Sequence, residues 1–262
     1  MNQKRICLHT LILCLFCVNT FAQLREIVKN LEKVNEQLYA SNTEVSNKQY
    51  AYFLEALRDA HDTQTLAISQ IDSTQWRTKE SYNEPYVSYY HQHKAYENYP
   101  VVNISYNAAL AYCNWLTKQY EQSSHKKYKK VIFRLPSEKE WEIAAQAGNN
   151  QAVYPWKENT FVNSKGQILA NFKRGNGDTT SVAAFLNDNA DVTAPVKSYW
   201  PNAFGLYNMA GNVSEMTASN NIIKGGSWKN TAENLIITNA QKYDGSPKAN
   251  IGFRCFMQIL EE

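Results

Sequence analysis

Apolar residues recur at helical spacing in several separate stretches of the chain. The first stretch runs from Leu24 to about Glu36 and predicts a short amphipathic lead-in helix. In the second stretch, the apolar side chains lie three, four and seven positions apart, so they share one helical face. These side chains are Tyr50, Phe53, Leu54 and Leu57. The same spacing predicts two further helices, in residues 105–116 and 137–148.

Polar residues at the starts of these helices have the pattern of helix caps. Ser46 is followed three positions later by Gln49, and Ser137 is followed by Glu140 in the same way. Each pair forms a capping-box signature, in which two side chains satisfy backbone N–H groups of the first turn. Ser105 is placed to cap a third helix. The rest of the chain is punctuated by Gly, Asn and Pro and predicts many short strands.

The first 22 residues have the composition of a secretory signal peptide. Lys4 and Arg5 form a short positive region ahead of an apolar stretch over residues 6–18, and small residues precede Gln23 at both cleavage-determining positions. An uncleaved anchor is the alternative, but the apolar stretch is short for a membrane span. We therefore expect an exported protein that is periplasmic, outer-membrane-associated or secreted, with no membrane span after cleavage.

Charge argues against nucleic acid and anionic membranes as partners. The chain has 27 basic and 24 acidic residues, and loss of Lys4 and Arg5 with the leader would leave 25 basic against the same 24 acidic residues. A nearly neutral protein lacks the electrostatic attraction on which binding to nucleic acid depends. No dinucleotide-binding, phosphate-loop, nucleophile-elbow or zinc-protease motif occurs in the sequence.

Two of the five cysteines remain after cleavage of the leader, namely Cys113 and Cys255. An even pair in an exported protein suggests a disulfide, and two buried free thiols are the alternative. A lipid anchor through Cys17 is disfavoured because bulky residues precede it.

Several ordered motifs carry a resemblance to a known family. They are EVSN-K-Q-Y from Glu44, PVVNIS and AYC-N-W from Pro100 to Trp115, FRLPSEKEWEIAAQAG from Phe133, YPW from Tyr154, NMAGNVSE from Asn208, GGSW from Gly225 and GFRC from Gly252. The sequence resembles the formylglycine-generating enzymes, also called sulfatase-modifying factors. The resemblance implies a single irregular, C-type-lectin-related α+β domain over residues 44–262, with short strands and two or three capped helices. It also implies that Cys113 and Cys255 form a disulfide.

The resemblance stops at the reactive thiols. Catalytic members of the family carry two copper-binding cysteines just after GGSW, and the matching positions here are Asn230 and Leu235. An amide is a poor ligand for copper(I), and leucine is no ligand, whereas thiolates suit this soft ion. We therefore expect no bound copper and no copper-dependent formation of formylglycine.

The resemblance also implies structural calcium. The first set of ligands would be Asn208, Gly211, Val213 and Glu215, which offer the mixed oxygen ligands that calcium favours. The second set would be Asn171, Phe172, Asp188 and Ala190, with Asp191 as an alternative to Asp188. A solvated glutamate next to an Asn-Gly turn is the alternative to the first site.

Three functional hypotheses follow. The leading one is an exported, non-catalytic binding or scaffold protein of the cell envelope, with a protein partner or a glycan or peptide ligand. The second is an oxidoreductase or other modifying enzyme with a rebuilt metal site, for which His91 and His93 would share one face of a strand. Solvated or aromatic-packed histidines are the alternative there. The third is lectin-like binding of carbohydrate or peptide through exposed Tyr and Trp rings.

Overall fold

The computed structural model describes residues 23–77, 82–173 and 192–262. The predicted leader and the candidate ligands Asp188, Ala190 and Asp191 lie outside the described residues. The helices are α1 over residues 23–29, α2 (Asn47–Asp59), α3 (Thr63–Ile68), α4 (Glu84–Tyr89), α5 (Tyr106–Gln122) and α6 (Glu138–Gln146). Short 3₁₀ turns occur at Ser73–Trp76, Lys94–Tyr96 and Ala232–Leu235.

The strands form two small sheets. They are β1 (Leu31–Lys33), β2 (Leu38–Ser41), β3 (Lys130–Arg134), β4 (Ser214–Met216), β5 (Ile222–Lys224), β6 (Ala240–Lys242), β7 (Ile251–Gly252) and β8 (Phe256–Glu261). The first sheet has the order β1-β2-β8-β3 and is antiparallel, and the second has the order β6-β5-β4-β7 with β4 and β7 parallel. The carboxyl-terminal strand β8 thus lies between two strands from earlier parts of the chain. The α+β prediction is confirmed.

The predicted caps form. The side chains of Ser46 and Ser137 accept hydrogen bonds from the backbone N–H groups of Gln49 and Glu140, and both capping boxes are complete. Ser105 caps α5 by accepting from the backbone N–H of Ala108. These contacts are local in sequence, which is why the chain pattern alone predicts them.

The lead-in helix is shorter than predicted. The helical spacing indicated a helix from Leu24 to about Glu36, but α1 ends at residue 29 and β1 begins at Leu31. Asn30 closes the helix, and its carbonyl oxygen accepts a hydrogen bond from the backbone of Asn42. Pairing of β1 with β2 therefore overrides the local helical preference.

The main core lies between α2, α5 and the two sheets. Tyr112 on α5 stacks on Tyr50 of α2 with ring centroids 5.9 Å apart, and it meets Phe253 edge to face at 5.5 Å. All three rings are buried. Such aromatic contacts add to the free energy gained from burial alone. A second apolar cluster around Trp141 joins α6 to the first sheet.

The paired glycines of GGSW allow close backbone approach. A Cβ atom at Gly225 would lie 3.0 Å from the carbonyl oxygen of Met209, and one at Gly226 would lie 2.8 Å from that of Asn234. Both glycines have positive φ, a region that disfavours other residues. The segment between β5 and the last 3₁₀ turn is therefore restricted to glycine at two successive positions.

Cys113 and Cys255 meet in the core. Cys113 lies on α5 and Cys255 directly precedes β8, and their Sγ atoms are 3.5 Å apart. Both residues are buried thiols in this structure. Burial and the neighbouring Cys113 raise the pKa of the Cys255 thiol well above its usual value, so a reduced Cys255 is protonated and unreactive. The disulfide stays a prediction, and the geometry provides its two partners.

We predict that oxidation of this pair stabilises the protein. A disulfide between residues 113 and 255 would close a long loop, so reduction should lower the free energy of unfolding by roughly 2–4 kcal/mol. Chemical denaturation with and without dithiothreitol measures the difference, and the double variant Cys113→Ala/Cys255→Ala should not respond to the reductant. Two titratable thiols in the unfolded, unreduced protein would contradict the prediction.

Candidate functional site

The loop over residues 208–213 directly precedes β4. Asn208, Gly211 and Asn212 all have positive φ, so the loop is tightly coiled. A Cβ atom at Gly211 would lie 2.5 Å from the backbone oxygen of Asn171, which excludes any side chain there. The backbone N–H of Asn212 donates to the same oxygen at 2.8 Å. The loop is thereby fixed against the segment that contains Asn171 and Phe172.

A buried ion pair follows this loop. Glu215 on β4 and Arg254 are both almost completely inaccessible to solvent. The Nε atom of Arg254 donates to both carboxylate oxygens of Glu215, at 2.9 and 2.8 Å, and its Nη2 atom donates to Oε1 at 2.5 Å. The indole N–H of Trp141 donates to Oε2 at 2.8 Å. Arginine and tryptophan together occupy the acceptor capacity of this carboxylate.

The remaining donors of Arg254 bind backbone carbonyls. Its Nη1 atom donates to the oxygen of Ser41 at 3.1 Å, and Nη2 donates to that of Tyr207 at 2.8 Å. Arg254 therefore pairs both with a buried carboxylate and with backbone carbonyls. Four of the five N–H groups of this buried guanidinium thus have partners within the protein.

Glu44 is a second buried carboxylate that the sequence reasoning missed. It precedes the first capping box and was treated only as part of the motif, although a charged residue beside apolar Val45 was a signal. Its oxygens accept from the side-chain amides of Asn208 at 3.1 Å and Asn212 at 2.8 Å. Burial, together with repulsion from Glu215, raises the pKa of Glu44 to about 7, although Arg254 and Asn212 act in the opposite direction.

A buried lysine, Lys224, also lies near these buried charged side chains. The side chain of Lys224 on β5 is inaccessible to solvent, and its ammonium lies 2.9 Å from a carboxylate oxygen of Glu142. The same ammonium lies 5.8 Å from the ring centre of Trp141, within the range of a cation–π contact. Trp141 therefore contacts a cation with its face and donates its N–H to Glu215.

The residues of the first predicted calcium site take part in these contacts. Asn208, Gly211, Val213 and Glu215 lie on one loop and strand, but the oxygens of Glu215 are engaged by Arg254 and Trp141. The amide nitrogen of Asn208 is directed to Glu44 and to the carbonyl of Val196. The oxygens of Glu215 thus already accept hydrogen bonds from a guanidinium and an indole, and the calcium site at these four positions stays a prediction.

Only half of the second predicted calcium site can be placed. The side-chain amide of Asn171 donates to the carbonyl of Val192 at 2.7 Å, and the ring of Phe172 packs on Phe161. Asp188 and Ala190 lie outside the described residues, so this site stays a prediction.

Other side chains occupy positions 230 and 235, at which the resemblance implies thiols. Leu235 is fully buried and packs with Ala170 and Ala210. The side-chain oxygen of Asn230 accepts from the hydroxyl of Ser227 at 2.5 Å, and its nitrogen donates to Gln241 at 3.1 Å. A buried leucine and a hydrogen-bonded amide thus occupy the places at which the family binds copper, and neither fits that ion.

The two candidate histidines do not form a site. They lie in a turn after α4 and not on a strand, which corrects the strand hypothesis. The Nδ1 atom of His91 is 3.0 Å from the side-chain oxygen of Asn47, and its Nε2 atom is 3.3 Å from the amide nitrogen of Asn103. Burial lowers the pKa of His91 to about 3, so it is neutral. His93 caps the turn by accepting from the backbone of Ala95. Within the described ranges, no three His, Cys, Asp or Glu side chains are placed to share a metal ion.

Comparisons with known proteins agree with this structure. A family model described as "Sulfatase-modifying factor enzyme 1-like domain" matches residues 25–259. A formylglycine-generating enzyme of Thermomonospora curvata is 40% identical over 121 residues, which cover 46% of this chain and 33% of the relative. An inactive C-alpha-formylglycine-generating enzyme 2 of Bos taurus is 32% identical over 172 residues, which cover 60% of this chain and 50% of the relative. The matches therefore span a third to a half of these curated relatives.

Two solved structures share the fold. The structure of PvdO from Pseudomonas aeruginosa has a TM-score of 0.58 at 20% identity and covers 85% of this chain and 80% of that chain. The crystal structure of CarF has a TM-score of 0.53 at 22% identity, with coverage of 85% and 86%. At this level of identity the likeness concerns the fold alone.

We predict that Glu215→Gln destabilises the protein strongly. The change leaves the buried guanidinium of Arg254 without its counter-charge, and loss of one partner of a buried ion pair costs about 3–5 kcal/mol. Denaturant unfolding measures the free energy. Glu36→Gln is the matched control, because Glu36 pairs with Lys33 at 2.8 Å on the exposed surface. The control should have the same free energy of unfolding as the wild type. Equal stability of both variants would refute the prediction.

We also predict a pH dependence that is due to Glu44. Its pKa rises from 4.5 in the unfolded chain to about 7 in the folded protein, so the folded state binds the proton more tightly between these values. The contribution of Glu44 to the free energy of unfolding therefore falls as pH rises from 4.5 to 7, by roughly 3 kcal/mol at ~1.4 kcal/mol per pKa unit.

Comparison with Glu44→Gln isolates this contribution. His91 titrates in part of the same range with the opposite sign, since its lowered pKa makes stability rise with pH up to its unfolded value of 6.5. Both proteins contain His91, so it cancels when the stability of the variant is subtracted from that of the wild type. This difference should decline from pH 4.5 to 7, and a difference that is constant with pH would disprove the assignment.

Proposed function

The chain belongs to the sulfatase-modifying factor family, and on that premise we propose that it is a non-catalytic binding or scaffold protein exported to the cell envelope. The single observation that carries this proposal is the packing at Asn230 and Leu235. Reactive members of the family need two thiols there, and this chain has instead one buried leucine and one hydrogen-bonded amide. The existence of a curated relative named inactive supports a member without the original chemistry.

Export is supported by two features, the predicted leader and the cysteine pair. The leader over residues 1–22 has a basic start, an apolar centre and small residues at its end. Two buried cysteines that contact each other suit an oxidising compartment. No helix among the described residues is long and apolar enough to cross a membrane.

Binding is supported by aromatic rings on the surface. Tyr82, Tyr89 and Trp200 are each more than half exposed. Large rings with one polar end suit contacts with peptides and with glycans. We therefore propose an envelope protein, or a glycan or peptide ligand, as the partner.

The alternative of an enzyme with a rebuilt metal site gains no support from the histidines. Both ring nitrogens of His91 are engaged with amides, and His93 is used as a turn cap. A copper site would also lack its thiolates. Cys113 and Cys255 are buried against each other and are separate from Asn230 in the fold.

Copper titration tests the proposal directly. The exported protein is titrated with copper(I) against a competing chelator, and oxygen consumption is followed with a cysteine-containing peptide. We expect no stoichiometric copper binding and no oxygen uptake above the buffer rate. The double variant Asn230→Cys/Leu235→Cys is the matched comparison, because it restores thiols at both positions. Tight stoichiometric copper binding with turnover by the wild-type protein would overturn the proposal.

A further inference from the structure

Gln23 at the start of α1 has an unsatisfied side chain. The residue is 7% exposed, and both its Nε2 and Oε1 atoms are buried without a hydrogen-bond partner. Its neighbours Leu24 and Ile27 belong to the main core, so the packing of α1 holds Gln23 in place. The side chain faces a cavity of about 350 Å³ that is also lined by Asn42 and Val196.

A buried primary amide without partners is unfavourable. Each unsatisfied polar group of this kind costs about 1–3 kcal/mol, and native proteins contain few of them. The polar residues Asn42 and Thr43 line the same cavity, yet neither forms a hydrogen bond with the side chain of Gln23. The intact carboxamide therefore makes no hydrogen bond that would stabilise the open, uncyclised side chain.

We propose that Gln23 of the exported chain is converted to pyroglutamate. The inference rests on the proposed export, because removal of residues 1–22 makes Gln23 the first residue. Its new α-amine then lies on the same residue as the unpaired carboxamide. An α-amino group has a pKa of about 8, so a useful fraction is unprotonated and nucleophilic at neutral pH.

The reaction is balanced within the one residue. The α-nitrogen attacks Cδ, a new N–Cδ bond closes a five-membered lactam, and the Cδ–Nε2 bond breaks. Nε2 leaves as ammonia with a proton taken from the α-amine. Nothing is oxidised or reduced, and no co-reactant is consumed. Room for the ring is provided by the cavity beside the side chain.

The lactam is more favourable than the open carboxamide at this buried position. Ring closure removes the two amide hydrogens that have no acceptor, and it also removes the positive charge of the terminal amine next to the core. Placing such a charge near buried apolar residues is costly. The lactam restrains φ much as proline does, and a proline-like residue is well tolerated in the first turn of a helix.

Mass spectrometry of the exported protein tests the proposal. Amines are labelled at the moment of cell lysis, so that ring closure during purification is not counted. We expect a chain that begins at residue 23, is lighter by one ammonia, and carries no label at its terminus until a pyroglutamyl aminopeptidase has acted on it. The variant Gln23→Asn is the matched control. It keeps the carboxamide, but closure would need a four-membered ring, so its terminus should be labelled.

The possible outcomes separate this proposal from the proposed export. A chain that begins at Gln23 with a labelled amine overturns the pyroglutamate and leaves export intact. A leader removed at another bond has the same consequence. A retained leader overturns both. A second measurement addresses the structural argument: the melting temperature of Gln23→Asn should be lower than that of the wild type, and an equal or higher value would refute the stabilising role of the ring.

Discussion

The buried ion pair between Glu215 and Arg254 is the interaction on which the rest of the structure depends. Arg254 follows β7 and precedes β8, so it lies at the junction of the two sheets. Its hydrogen bonds reach Glu215 on β4, Ser41 at the end of β2 and Tyr207 before the tightly coiled loop. Burial of a guanidinium is costly unless its donors find partners, so these hydrogen bonds link the geometry of all these segments. One side chain thereby fixes the mutual placement of segments that are far apart in sequence.

The charges around this pair alternate in sign through the interior. Lys224 pairs with Glu142 and faces the ring of Trp141, Trp141 donates to Glu215, and Arg254 lies beyond it. Glu44 is the exception, since it has amide partners and no cation of its own. Burial raises the pKa of Glu44, and repulsion from Glu215 adds to this effect, although Arg254 acts in the opposite direction. The buried charged side chains therefore include both a hydrogen-bonded ion pair and a carboxyl group that titrates near neutral pH.

Local features of the fold could be predicted from the sequence, and long-range ones could not. The caps at Ser46, Ser105 and Ser137 depend on residues three positions apart, so the pattern predicted them correctly. The lead-in helix was predicted too long because pairing of β1 with β2 depends on a strand further along the chain. For the same reason Arg254 could be expected to meet a carboxylate, but the choice of Glu215 could not be derived.

Strand β4 separates Asn230 from the buried ion pair. Successive residues of a strand point to opposite faces. Glu215 points to Arg254 and Trp141, whereas the hydroxyl of its neighbour Ser214 lies 3.4 Å from the side-chain oxygen of Asn230. The ion pair and Asn230 therefore lie on opposite sides of one short strand. The contacts of Asn230 are separate from those of Glu215, so the ion pair that determines the fold does not depend on which residue occupies position 230.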